Sequence, residues 1–249
     1  MKRDLVRGKA GFTLVELLVV MAILSILAAL AFLAGSRVIE SGRNGVCLGN
    51  LRTVGAALLA YAADNQGWTP HAYQNGQGTW GDVLVREGYL PPLKDGLAHP
   101  LICPSQRPKV ARIIPGVIPH TYGMRNISPG GNNKARFRLN LGVVKDSVTF
   151  LNVSWGAPSK FLLLGDSILN LPGNAYDGYQ SYFFDAGGSS GFRAVHLRHN
   201  GKGNFLFGDG HVRQLGKEDL VGNYGGYLDA SGSPYNVFVS GAINESAPR

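Results

Sequence analysis

The sequence is short of cysteine, of charge and of catalytic signatures. Only two of its 249 residues are cysteines, Cys47 and Cys103. It has no C-x-x-C and no Cys/His pair at finger spacing, which excludes a local zinc knuckle and a dithiol redox motif. If the domain lies outside the cytoplasm a single Cys47–Cys103 disulfide is allowed. Two buried free thiols are allowed equally, because spacing along the chain does not decide geometry. Ser105, Ser154 and Ser167 lack the G-x-S-x-G context of an activated serine. No Gly-rich phosphate loop is present. Charged residues make up 16%, and the formal net charge is +8. Part of that excess sits at the start, where Lys2, Arg3, Arg7 and Lys9 outweigh Asp4. No Lys/Arg run is long enough to argue for nucleic acid, so the remaining excess reads as a solvated surface.

What the chain does have is apolar substance and glycine. Hydrophobic residues reach 45%, enough for a core, and 35 glycines favour a loop-rich β domain over a helical bundle. The length suits one helical anchor and one globular domain. From Phe12 to about Leu33 the sequence is almost continuously apolar. At about 1.5 Å per residue such a helix is just long enough to cross a bilayer. Basic residues precede it, so the positive-inside rule keeps residues 1–11 in the cytoplasm and sends the bulk across.

Three readings of this segment compete: a secretory signal peptide with Ala29-Leu30-Ala31 as cleavage site, a plain anchor, and a prepilin leader. Glu16 separates them. A carboxylate inside an apolar run is costly in lipid and needs a partner, which neither a signal peptide nor a plain anchor provides.

The stretch Gly11-Phe12-Thr13-Leu14-Val15-Glu16-Leu17-Leu18-Val19-Val20 resembles the leader and first helix of type IV pilins and type II secretion pseudopilins. The resemblance implies cleavage by a prepilin peptidase after Gly11, N-methylation of Phe12, and pairing of Glu16 with the terminal amine of a neighbouring subunit. A buried carboxylate is tolerable when a cation meets it. The partners implied are the peptidase, other pilin-like subunits and a membrane assembly platform, with storage in the inner membrane.

Beyond the anchor, Cys47, Leu51, Val54, Leu58 and Tyr61 lie on one helical face. The helix is expected over about Phe12 to Ala63, softened by Gly35, Gly42, Gly45 and Gly49 and capped near Gly67. Residues 1–11 then form a leader, 12–34 a membrane and assembly helix, 35–66 its amphipathic continuation, and 67–249 an extracytoplasmic β-rich domain. Within that domain Trp80 to Glu87 reads as a short helix ended by Pro91-Pro92. Residues 105–136 and 169–191 read as loops, apart from a short strand at Ser181–Phe184. Arg138–Val143 and Ser147–Leu151 read as a hairpin turning at residues 144–146, and Lys160–Gly165 as a buried strand. Asp209-Gly210 reads as a two-residue turn setting Phe207 opposite Val212, with Phe205, Phe207 and Val212 on one inward face.

His199, nine residues, then Asp209-Gly210 resembles the H-X9-DG signature of a group of pilin-like proteins. Cys47-Leu48-Gly49-Asn50-Leu51-Arg52, Cys103-Pro104-Ser105, Tyr122-Gly123-Met124-Arg125-Asn126 and Leu164-Gly165-Asp166-Ser167 agree with it. The two resemblances together imply an α+β pilin-like fold: a long N-terminal helix, membrane-spanning in its first half, packed on an antiparallel β-sheet domain. Asp166, His199, Asp209 and His211 are side chains able to ligate a divalent metal, although calcium prefers oxygen ligands. The cheaper reading leaves them structural: Asp209 makes the turn, His199 bonds a loop carbonyl, and His211 is a half-exposed strand residue. On that reading there is no cofactor and no enzyme. A rival function is a surface module, for instance for polysaccharide, whose Trp68, Trp80, Trp155, Tyr176, Tyr179 and Tyr182 stack on sugars. Such residues more often fill a core.

Overall fold

The computed structural model describes residues 13–106, 109–111, 121–126, 136–139, 145–146, 157–185, 193–220 and 237–239. Helix α1 spans Leu14–Asp64. The chain falls into two compact units, Met1–Ser41 and Gly42–Arg249.

In the first unit α1 is apolar on every side from Leu14 to Leu30, with Glu16 its one charged residue. Leu17, Leu24 and Leu30 are each more than half exposed. A helix apolar all round requires an apolar surrounding of its own. Its first turn is closed by a capping box that sequence analysis did not weigh. The Thr13 N–H and hydroxyl both donate to Glu16 Oε2, at 2.9 and 2.7 Å, and the Glu16 N–H donates to Thr13 Oγ1 at 3.3 Å.

In the second unit the helix carries the expected stripe. Cys47, Leu51, Val54 and Leu58 are fully buried. Val38–Asp64 is long and apolar enough to cross a membrane, but its apolar face is already occupied by the domain core. The stop is a Schellman turn, with the Gly67 N–H bonded to the Ala62 carbonyl at 2.6 Å. Gln66, not only Gly67, takes the left-handed conformation, with φ +56°.

The described strands are β1 (Tyr73–Gln74), β2 (Gly78–Thr79), β3 (Gly123–Asn126), β4 (Phe137–Arg138), β5 (Lys145–Asp146), β6 (Leu162–Gly165), β7 (Ser167–Leu169), β8 (Phe183–Asp185), β9 (Arg193–Leu197), β10 (Lys202–Phe207), β11 (Val212–Gly216) and β12 (Val237–Val239). The larger sheet has the order β11-β10-β6-β3-β8 and the second β12-β9-β7. Both are mixed: β3–β8 and β9–β12 pair parallel, the other pairs antiparallel. The fold is therefore α+β, an apolar N-terminal helix followed by a mainly antiparallel sheet domain, consistent with a pilin-like fold. Helix α2 (Trp80–Arg86) has its own capping box, Thr79 with Asp82, and anchors the domain through the Trp80 indole N–H on the Tyr182 carbonyl at 3.0 Å.

Several local expectations are corrected. Residues 123–126, read as loop, form a buried strand between β6 and β8. Its Gly, Arg and Asn carry no strand propensity, and pairing on both sides decides its state. Lys145 and Asp146, read as turn, pair with Arg138 and Phe137, while residues 140–144 and 147–156 lie outside the described set. The last hairpin is one residue longer than expected. Leu206 faces Val212, and the loop is Gly208-Asp209-Gly210, with Gly210 at φ +90°. A one-residue shift exchanges faces. Val212 packs with Leu206 in the core that contains α1, whereas Phe205 and Phe207 join Leu162, Val195, Leu197 and Leu215 in a second core.

Candidate functional site

Among the described residues two places carry chemistry. The first is the N-terminal segment. Glu16 sits in the first turn of α1, exposed, with Thr13 as its partner. Gly11 and Phe12 lie outside the described residues.

The second is a buried polar cluster that only the fold assembles. The chain leaves the larger sheet at Asp166, the single residue between β6 and β7, and returns to it through Asn200-Gly201 between β9 and β10. That return is a two-residue turn with φ +52° and +78°, closed by paired backbone bonds between His199 and Lys202. The two crossings meet: His199 Nε2 lies 3.4 Å from Asp166 Oδ2. The helix contributes Cys47, whose Sγ is 3.6 Å from Asp166 Oδ1. The loop after α2 contributes Cys103, whose Sγ is 3.5 Å from His199 Nε2. The ligating atoms of Cys47, Cys103, Asp166 and His199 all lie within 4.8 Å of one another, and all four residues are buried. Both cysteines are free thiols.

Around these four, several polar groups make hydrogen bonds into the cluster. The Tyr122 hydroxyl donates to Cys47 Sγ at 3.2 Å. The Asn204 N–H donates to Asp166 Oδ2 at 2.8 Å. The Cys103 N–H donates to Gln180 Oε1 at 2.9 Å, and Arg198 shares that oxygen at 3.0 Å. The Arg198 guanidinium also bonds the Ser167 carbonyl and lies 3.6 Å from Asp166 Oδ1. A charge this deep needs a counter-charge, and Asp166 supplies it.

The electrostatics follow from that packing. Burial pushes the Asp166 carboxyl up, but the Arg198 charge and the His199 hydrogen bond bring it below its ordinary value. Burial works against a charged His199, yet bonds to Asp166 and Cys103 raise it to about 10. Cys103 is pushed up by burial and brought down to about 6 by its bonds to Cys47 and His199 and by the Arg198 charge. Burial holds Cys47 well above the usual thiol value. His196 is lowered to about 3, first by burial and then by the Arg198 charge, and stays neutral.

The metal candidates named from sequence therefore divide. Asp166 and His199 enter the cluster. Asp209 and His211 pair with each other at 2.6 Å on the hairpin loop, where His211 stacks on Phe207. His199 and Asp209-Gly210 flank the two ends of the six-residue β10, roughly 20 Å apart at the usual strand rise. The nine-residue spacing is the length of one strand and its two turns, not of one site. Through Nε2 the His199 ring meets a carboxylate and a thiol. Sequence reading missed Arg198, Gln180 and Asn204 as cluster members. It also missed the Asn200-Gly201 turn, although Asn-Gly is the strongest short hairpin signal. Of the aromatics offered for sugar stacking, Trp80 and Tyr182 are core. Tyr176 and Tyr179 are half-buried against each other, Trp68 lies under Arg136, and Trp155 is outside the described residues.

Residues 6–32 match the family model for the prokaryotic N-terminal methylation motif. No curated protein and no solved structure matches the chain. The N-terminus is of the prepilin type, and the match supports a pilin-like substrate of a prepilin peptidase. It ends before the buried cluster and before the His199 to Gly210 region.

Proposed function

We propose that the chain is a non-enzymatic structural subunit, stored in the inner membrane and assembled into a secretion pseudopilus or a pilus-like filament. The observation that carries this is the methylation motif at residues 6–32 in register with Glu16 at the start of an apolar, exposed helix. The peptidase cuts between Gly11 and Phe12, Phe12 is N-methylated, and the domain from residue 67 onward stands outside the cytoplasm. Assembly then buries the Leu14–Leu30 surface among like helices and brings Glu16 to the amine of an adjoining Phe12, aided by a membrane platform. Mass spectrometry of the mature protein tests the reading: the first residue is N-methylated Phe12. A mature chain starting near Phe32 marks a signal peptide and sinks it. Delivery of a polysaccharide-binding module by the same pathway is the rival. The core placement of Trp80 and Tyr182 removes two of its proposed stacking residues.

A further inference from the structure

We infer that Cys47, Cys103, Asp166 and His199 form a tetrahedral binding site for a zinc-type divalent metal, which ties helix α1 to both sheets.

The distances carry the inference. Zinc bonds of about 2.3 Å to sulfur and about 2.0–2.2 Å to nitrogen and oxygen set tetrahedral edges of about 3.5–3.6 Å between sulfur and a nitrogen or oxygen, and about 3.4 Å between nitrogen and oxygen. The observed separations are 3.5 Å for Cys103–His199, 3.6 Å for Cys47–Asp166 and 3.4 Å for His199–Asp166. The last two use different carboxylate oxygens, so Asp166 turns to offer one of them to a four-coordinate ion. The donor set is two sulfurs, one imidazole and one carboxylate. That set suits a borderline-soft ion and is wrong for calcium or magnesium, which take oxygen.

Charge and support agree. Two thiolates and a carboxylate carry three negative charges, which a dication and the Arg198 guanidinium together neutralise. Tyr122 donates to the Cys47 sulfur, and the Asn204 N–H holds the Asp166 carboxylate. Partners of this kind orient ligands and tune a metal site. The four ligands come from the helix, the loop after α2 and the two crossings between sheets, so the ion closes four distant pieces of chain at one point. All four are buried, which leaves no open position for substrate and makes the site structural. Binding is ligand exchange without electron transfer: the cluster's protons on thiol and imidazole leave to solvent, and the metal takes their place.

The test is made on the full chain, untagged, in detergent and free of chelator. Elemental analysis after dialysis against zinc should find about one zinc per chain. The cobalt-loaded protein should show thiolate-to-metal charge-transfer bands and the intense visible bands of a tetrahedral ion. Cys103→Ser and His199→Ala should lower zinc affinity at least tenfold, while His211→Ala, on the exposed hairpin, keeps the full stoichiometry. A mass two hydrogens below that of the reduced chain, marking a Cys47–Cys103 disulfide, overturns the inference. So does a folded wild-type chain that keeps both thiols titratable and takes up no zinc. Both measurements use the wild type, so they stand even where a variant fails to fold.

Discussion

The two halves of α1 are apolar for opposite reasons. From Leu14 to Leu30 the apolar side chains cover the whole circumference and are exposed. From Cys47 to Leu58 they form a stripe, spaced four, three and four, that is fully buried. By length and composition Val38–Asp64 is also apolar enough to cross a membrane. Burial tells them apart: a stripe already packed in its own domain has nothing left to offer lipid. Among the described residues the first half stays exposed, and its apolar surface calls for an apolar surrounding. The second half holds the domain together.

The largest effect that sharpens this division concerns Glu16. In the single chain it completes a capping box, and in the proposed filament it meets a terminal amine. Gln can still accept in a capping box, so Glu16→Gln removes the charge and keeps the local bonds, whereas Glu16→Leu removes both. Breaking one partner of a buried ion pair costs about 3–5 kcal/mol. Both variants should insert and be cleaved normally, and both should fail to enter filaments, as read by crosslinked or sheared assemblies against membrane-fraction levels. Normal assembly of the Gln variant with failure of the Leu variant would reassign Glu16 to helix capping alone.

Next comes the same substitution made in each half. Leu51→Ala opens a cavity in the domain core and should cost about 2–5 kcal/mol of domain stability. Leu17→Ala should leave the unfolding midpoint of the domain unchanged, measured by the fluorescence of buried Trp80 in detergent. A matching loss from Leu17→Ala would show that the first half contributes to the domain fold.

Gly165→Ala is smaller. A Cβ there runs into the ring of Phe205, its cross-strand neighbour, which is fully buried. Overpacking of this kind costs about 1–3 kcal/mol. It should act on the domain without reducing retention in the membrane fraction.

How much of this was legible in the sequence differs between the same two regions. The apolar run with Glu16 in its first turn, and the buried stripe, were readable because each depends on local spacing along one helix. The α+β class, α2 and β6 were readable from composition and short apolar runs. β3 was not, because Gly123, Met124, Arg125 and Asn126 acquire strand geometry from neighbours distant in sequence. The hairpin register failed by one residue because Gly208 serves in the loop rather than the strand. The cluster shows the limit most plainly. The five quoted segments around Cys47, Cys103, Tyr122, Asp166 and His199 each deliver one member of it, and each was visible. Their convergence was not, since it is made by two crossings between sheets. Arg198, which balances Asp166, has no local signal beyond lying next to His199.

The smallest effect compares two capping boxes of the same geometry, one in each region. Thr79 Oγ1 accepts from the Asp82 N–H at 3.3 Å, while the Thr79 N–H and hydroxyl donate to Asp82 Oδ2 at 2.7 and 2.9 Å. Thr13 and Glu16 repeat the pattern at the start of α1. Losing such a cap costs about 0.5–2 kcal/mol. Thr79 is fully buried and directly precedes Trp80, the largest fully buried side chain among the described residues. Thr79→Ala should therefore lower domain stability within that range, and Thr79→Ser, which keeps the hydroxyl, should recover most of it. Thr13→Ala removes an equal set of bonds from the first unit, where the helix end is exposed and water can take over the freed N–H groups. It should leave the denaturant midpoint of the domain where it was. Equal shifts from Thr13→Ala and Thr79→Ala would mean that the two halves of α1 unfold as one cooperative piece, and the division between an exposed apolar helix and a domain helix would then be one of surface chemistry without being one of stability.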